Sequence, residues 1–312
     1  MTDSLRIAVI GTGAVGGVFG GRLAAAGHDV TFLARGATLA ALRTNGLFIE
    51  SVDGDLHLSV VQATDDPATI GPVDVILMGV KATQIQALAP SLRVLLAPDT
   101  AVVPLQNGVE AGTQLADALG DAHAMDGLCR IIAEQSGPGR IRHMAVTPDL
   151  EFGPRSRMPA DAPARRQIAR FAEALRGAGM KASTPEQMDA PVWEKFLFIE
   201  PFSTVGAASR SPIGVMRTVP ETRALLNACM LEVQAVAAAA GVVLSDEVLT
   251  RTWARYDFIP PESTASLQRD LMAGRPSEFD AQTAAVVRLG QQLGVETPVH
   301  AVLYAVLRPQ AV

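Results

Sequence analysis

The run LRIAVIGTGAVGGVFGGRLAAAGHDVTFLAR, residues 5–35, decides the fold of this chain. Leu5–Ile10 is short and mostly apolar, the pattern of a strand covered on both faces in a parallel sheet. It runs into Gly11-Thr12-Gly13-Ala14-Val15-Gly16-Gly17, a helical stretch to about Ala26, a stop at Gly27 and a second strand, Asp29–Leu33. A glycine fingerprint that follows a strand and opens a helix has the context a dinucleotide-binding βαβ unit requires. Gly11 permits the tight turn, Gly13 lets the backbone approach a diphosphate, and Gly16 lets helix and strand pack closely. The diphosphate would rest on the unpaired N–H groups and positive dipole end of the helix that Ala14 and Val15 begin.

The end of the second strand bears on which dinucleotide. An acidic residue there holds the ribose hydroxyls of NAD, whereas an arginine accepts the 2′-phosphate of NADP. The chain reads Thr31-Phe32-Leu33-Ala34-Arg35-Gly36, with no carboxylate at the tip and the planar, permanently charged fork of Arg35 available. NADP is the expected cofactor. Asp29 stands at the wrong end of the strand for ribose.

Further strand-like runs, Val73–Val80 and Thr100–Leu105, alternate with helical stretches at 83–96 and 110–119. Such alternation predicts a doubly wound parallel sheet, which gathers ligands at the carboxyl ends of its strands. Gly13, Arg35, Lys81 and Asn107 each fall just past such an end, which points to one site. Residues 129–153 read as short strands, and 165–177 as a helix. Strand signals then stop, and the chain is helical at 191–202, 221–240, 246–256, 277–293 and 298–307. The reading is α/β: a Rossmann-type domain over residues 1–186 and an all-α domain over 187–312. Within the second, Ser277 and Asp280 form a capping pair that puts Glu278 in a helix's opening turn, and Pro201 is positioned to kink its helix.

Bulk properties narrow the function. The 312 residues exceed one typical core, and 48% of them are hydrophobic, enough to fill a large interior. A formal net charge of −6 gives no general attraction to nucleic acid or an anionic membrane. No signal peptide or membrane span is legible, and Cys129 and Cys229 lack the spacing of a disulfide framework or zinc site. The five histidines are scattered, so no metal is expected. A cytoplasmic protein is expected, with two alanine-rich helices as suited to a homodimer as to a core.

Carbonyl reduction by a nicotinamide enzyme needs a proton donor. Lys195, in Trp193-Glu194-Lys195-Phe196-Leu197-Phe198, is a cation among large apolar residues, where burial would bring its pKa toward neutrality. The same residue is open to a second reading, with its ammonium snorkelling to solvent or pairing with Glu194 or Glu200. Asn107 opens an Asn-Gly turn and serves turn chemistry, a ligand, or both. Lys81 is either a solvated post-strand residue or a ligand-facing cation. Ser266 also fits a helix cap, and Glu278 a simple first-turn acid.

Gly11–Gly17, Val80-Lys81-Ala82, Leu105-Gln106-Asn107-Gly108-Val109-Glu110, Trp193-Glu194-Lys195-Phe196 and the segment from Ser266 through Asp270 to Asp280 together resemble the ketopantoate reductase (2-dehydropantoate 2-reductase) family over nearly the whole chain. The resemblance implies NADPH-dependent reduction of a 2-oxo acid to a 2-hydroxy acid on the pantothenate route, in a cleft between the domains. It implies that Lys195 is the general acid, that Glu278 helps hold the substrate, and that Ser266 contacts the substrate carboxylate. Asn107 and Lys81 would contact cofactor and substrate. Two positions depart from the pattern: the family usually carries Asn four and eight residues after the lysine, where this chain has Ile199 and Ser203. Isoleucine cannot hydrogen-bond a hydroxyl, so a more apolar oxo acid than ketopantoate is expected to fit. Two other readings are a non-catalytic NADP-binding sensor and a β-hydroxyacid or opine-type dehydrogenase. Retention of Lys195 and Glu278 argues against the first, and the Ser266–Glu278 segment against the second.

Overall fold

The computed structural model describes residues 4–311, which form two compact units. The first takes in the chain up to Gln106 and Glu110–Met188. The second begins at Asp189 and also includes the strap Asn107–Val109.

The α/β unit opens with β1 (Arg6–Ile10), α1 (Ala14–Ala25), β2 (Asp29–Leu33), α2 (Gly36–Asn45), β3 (Leu47–Ser51), β4 (Leu56–Leu58), β5 (Gln62–Thr64) and β6 (Val73–Met78). It continues with α3 (Ile85–Leu88), β7 (Leu96–Pro104), α4 (Ala111–Leu119), β8 (Met125–Gly137), β9 (Arg140–Pro154), α5 (Arg166–Gly177) and β10 (Lys181–Ser183). One sheet is wholly parallel, in the order β5-β2-β1-β6-β7. Its period-two alternation splits the side chains between two cores. Ile7, Val9, Val75 and Leu77 pack with Val18 and Phe19 of α1 and Phe171 of α5. Ala8, Ile10, Ile76 and Met78 pack on the other face with Ile85, Leu92 and Leu115. Helices thus cover both faces, as expected of a doubly wound sheet. β2 flanks β1 on one side and β6 on the other, so the switch point lies at the carboxyl end of β1, where Gly11 begins.

A second sheet, in the order β10-β9-β3-β4 with β8 on β9, was not legible in the sequence. The short strands expected over 129–153 are parts of two long strands, β8 and β9, which form an antiparallel hairpin with several register shifts. Those irregularities interrupt the alternation, and β4, β5 and β10 span three residues each, too few to show a period. The helix expected over 83–96 is broken into 3₁₀ turns at Ala82–Gln84 and Ala89–Leu95 around the short α3. Pro90 removes a helical donor there, and β7 begins at Leu96.

The helical unit comprises α6 (Asp189–Ser209), α7 (Ile213–Thr218), α8 (Pro220–Ala239), α9 (Val248–Phe258), α10 (Ser266–Met272), α11 (Thr283–Leu293) and α12 (Pro298–Leu307). Phe196, Leu197 and Val205 of α6 meet Met230 and Val233 of α8, Tyr256 of α9 and Leu303 of α12 in its main core. α6 passes through Pro201 and runs on to Ser209, well past its expected end near Phe202. Burial of Phe202, Ser203, Thr204 and Val205 holds the later turns in place despite the lost backbone donor.

The helix expected over 277–293 starts only at Thr283. Ser277 and Asp280 do not form the expected capping pair: Glu278 is the N-cap residue of a 3₁₀ turn, Phe279–Ala281, and no side chain caps it. Gln282, at φ −115° and ψ −96°, separates that turn from α11. Ser266 is likewise no cap; it is the first residue of α10, exposed, and Ala265 precedes it as N-cap. Among the described residues no helix is long and apolar enough to cross a membrane.

Candidate active site

In the α/β unit the glycine turn has the geometry its sequence suggests. Gly11 sits at φ +92°, and a Cβ there would fall 2.9 Å from the Val80 nitrogen. A Cβ on Gly16 would stand 2.3 Å from the Gly11 carbonyl oxygen, so helix and turn meet backbone to backbone. Gly13 differs: nothing lies within 4 Å of the Cβ it lacks. It is the N-cap of α1, whose first turn, including Ala14 and Val15, has no side-chain cap and no acidic residue. Beside it Thr12 is buried, and its hydroxyl has no hydrogen-bond partner. Open space, uncapped N–H groups and an orphan hydroxyl are the features an anionic diphosphate satisfies.

Arg35 is the N-cap residue of α2, exposed, with a guanidinium that makes no hydrogen bond or ion pair among the described residues. Asp29, at the far end of β2, is engaged by Arg6 at 3.4 Å and by the Gln62 amide at 2.9 Å. Lys81 is half-buried and begins the 3₁₀ turn after β6. Gln106 fixes that turn to the end of β7: its Nε2 donates to the carbonyls of Met78 and Val80 at 3.0 and 2.7 Å.

In the helical unit three of the expected residues form a chain. Lys195 Nζ donates to Asn107 Oδ1 at 2.8 Å, and Asn107 Nδ2 donates to Glu278 Oε2 at 3.0 Å. The neighbours dictate the amide orientation: an ammonium has only donors and a carboxylate only acceptors, so oxygen faces Lys195 and nitrogen faces Glu278. Gly108 admits the strap here; at φ +109°, its missing Cβ would stand 2.7 Å from the Ala281 carbonyl oxygen. Glu194, the neighbour of Lys195 in the chain, pairs with Arg251 at 2.7 Å. Ile199 and Ser203 follow Lys195 by one and two turns on the same side of α6. Ile199 packs against the helical core, and Ser203 is buried with an unpartnered hydroxyl. Ser266, exposed at the start of α10, takes no part in the Lys195–Asn107–Glu278 chain.

Sequence reasoning missed a second group in this unit. Glu200, His300 and Glu232 are joined through both nitrogens of the imidazole, at 2.8 and 2.6 Å. A carboxylate alone in the apolar run Phe196–Phe202 was the available signal, as was a histidine in the first turn after Thr297-Pro298. Burial alone would lower the His300 pKa, but Glu200 and then Glu232 push it up to about 9. Burial opposes ionisation of Glu232 too, yet hydrogen bonds from His300 and Val299 leave its pKa below the usual value.

Comparison with known proteins agrees with this architecture. Residues 7–157 match the family model described as ketopantoate reductase PanE/ApbA, and residues 187–311 match its C-terminal counterpart. The chain belongs to the ketopantoate reductase family. It is 30% identical to a 2-dehydropantoate 2-reductase of Mycobacterium tuberculosis, covering 96% of each chain. Among solved ketopantoate reductase family structures, it is similar to 2-dehydropantoate 2-reductase from Geobacter metallireducens, with a TM-score of 0.88, 29% identity and coverage of 98% and 99%. A family member from Ralstonia eutropha gives 0.86 at 30% identity, covering 98% of both chains. D-mandelate dehydrogenase, solved with NADH and anilino(oxo)acetate, shares the fold at a TM-score of 0.87 and 19% identity, covering 98% of both chains. Ketopantoate reductases are oxidoreductases, and this family membership favours neither the sensor reading nor the opine-type dehydrogenase reading.

Proposed function

We propose that this chain reduces a 2-oxo acid to the 2-hydroxy acid, taking hydride from NADPH and a proton from Lys195. The observation that carries the reading is the Lys195–Asn107–Glu278 chain of hydrogen bonds. NADPH, when bound, supplies the hydride to C2 of the substrate. Its diphosphate fits the Gly11–Gly16 turn, with the N–H groups of Ala14 and Val15 as donors, and Arg35 has a free fork for the 2′-phosphate. Lys81 supplies a further cation on the same sheet edge.

The protein's part in the chemistry is to hold a proton at Lys195 Nζ and release it to the C2 oxygen as negative charge develops there. Asn107 Oδ1 directs the ammonium, and Glu278 fixes the rotamer of Asn107. Asn107 and Glu278 therefore restrict the donor to one orientation before substrate arrives, which lowers the ordering cost of the reaction. Ser266 is the proposed contact for the substrate carboxylate.

Ile199 shapes the preference for the rest of the substrate. Its side chain offers no hydrogen bond to a distal hydroxyl, so we assign it to an apolar substituent on the oxo acid, with Ser203 as the remaining polar group on that side of α6. The test is a panel of ketopantoate, branched aliphatic and aryl 2-oxo acids assayed with NADPH. Branched or aryl acids should exceed ketopantoate in kcat/KM, and Ile199→Asn should reverse the order. Lys195→Ala should lower kcat about 10²–10⁴-fold, the usual contribution of a general acid. Selective turnover of ketopantoate would overturn the substrate assignment, and an active Lys195→Ala variant would overturn the mechanism.

A further inference from the structure

The proposed mechanism makes no use of Glu200, His300 and Glu232, although they bury ionisable side chains in the unit that carries Lys195. Glu200 and His300 have no exposed side-chain surface, and Glu232 keeps only 11%. With a carboxylate on each ring nitrogen, both nitrogens of His300 carry protons, and the ring is a cation between two anions. Glu232 of α8 also accepts the backbone N–H groups of Val299 and His300 at 2.8 and 3.0 Å. It thereby caps α12, which Thr297 does not cap with its own side chain. Glu200 accepts the Thr204 hydroxyl, and Thr204 meets Thr283 Oγ1 of α11 at 2.5 Å.

These bonds converge on the weakest part of α6. Pro201 has no N–H, so the Leu197 carbonyl loses its helical donor just after Lys195. Around that gap, the Tyr256 hydroxyl of α9 donates to the Phe198 carbonyl at 2.6 Å, His300 holds Glu200, and Thr283 holds Thr204. Lys195 lies five residues before Glu200, about 7.5 Å along the helix axis. Without the His300 cation, two buried carboxylates would lose their shared partner, and the segment around Pro201 would lose its main tether.

We propose that Glu200, His300 and Glu232 are positioning residues for Lys195: they clamp the proline-weakened turn of α6 to α8 and α12 and so keep the ammonium on Asn107. The proposal rests on Lys195 being the proton donor. It means that proton loss from His300 unclamps α6 and produces an alkaline decline in turnover that does not belong to Lys195. Among the described residues, Cys229 of α8 and Tyr256 of α9 are ionisable groups that face the array; Thr204 and Thr283 contribute neutral hydroxyls. Burial, then the charge of Glu200, pushes both the thiol and the phenol of these groups upward, so they stay neutral while His300 titrates.

The chain has three lysines, Lys81, Lys181 and Lys195, so reductive ¹³C-methylation gives few signals, and the Lys195 signal is identified by its absence in Lys195→Arg. The Lys195 signal is titrated in the protein without substrate or cofactor, for the wild type, His300→Gln and the milder Glu232→Gln. In parallel, kcat and KM are measured across pH on variants whose cooperative melts show them folded. The clamp predicts a shifted Lys195 titration in both variants and a tenfold or larger fall in kcat for His300→Gln, with KM for NADPH unchanged. Glu232→Gln removes one anion from His300, so the alkaline limb of kcat moves to lower pH. A Lys195 titration that is the same in folded variants as in the wild type, with kcat within twofold and an unmoved alkaline limb, overturns the proposal. Because the titration is read without turnover, it stands apart from the donor reading, which fails if Lys195→Ala stays active.

Discussion

Two glycines three positions apart do different work, and the difference is measurable. The missing Cβ of Gly16 would stand 2.3 Å from a backbone oxygen and 3.3 Å from the Gly79 Cα, and neither can move freely. Gly16→Ala should therefore cost about 1–3 kcal/mol of stability, as overpacking does, visible in a urea melt. Gly13→Ala meets nothing within 4 Å, so stability should change by no more than about 0.5 kcal/mol while NADPH affinity falls. Arg35→Ala should weaken NADPH about tenfold or more, equivalent to about 1.4 kcal/mol, and leave NADH binding nearly unchanged, as fluorescence titration of both nucleotides would show. The geometry of the glycine turn was legible in the chain because a tight turn and its neighbouring strands are specified within a few positions. The orphan hydroxyl of Thr12 was not, since only packing reveals which side chains lack a partner.

α6 and α12 are coupled through a charge that depends on pH. The folded pKa of His300 lies at about 9, above the ordinary histidine value of 6.5. Its stabilising contribution is therefore complete below pH 6.5 and is lost as pH rises through about 9. Glu232 acts in the opposite sense: with its folded pKa below 4.5, its contribution is present above pH 4.5 and is lost as pH falls through the folded value. Thermal melts should accordingly peak between pH 4.5 and pH 6.5, where both contributions are complete, and decline as pH rises from 6.5 to about 9. In a Glu200→Gln, His300→Gln double variant the alkaline decline should shrink; an undiminished decline would assign it to other groups. At this scale the sequence was a partial guide. The existence of most helices was visible from apolar periodicity, whereas the 3₁₀ turn at Phe279–Ala281 and the passage of α6 through Pro201 were not. Both reflect packing that outweighs local propensity.

The two compact units have separate cores, so ligand binding should register in one before the other. Nucleotide seated on the Gly11–Gly16 turn, at a hundredfold its Kd, adds about 2.7 kcal/mol to the stability of whatever unfolds with that site. Hydrogen exchange should show this as slower exchange in β1, α1 and β6, with α8 and α9 little changed. Uniform protection of both units, or none in β1, would contradict the assignment of the nucleotide site. By itself the sequence determined the parallel sheet, the helical second half and the residues from which a site is chosen. Those follow from short-range patterns: alternation, glycine turns and a cation set among apolar neighbours. Only the tertiary structure decided that Asn107 joins the helical unit. It alone brought together Asn107 and Glu278, 171 positions apart, and Glu200 and His300, 100 apart. Such pairings depend on how distant segments bury their apolar faces, and a charged or amide side chain carries no local mark of the partner it will meet.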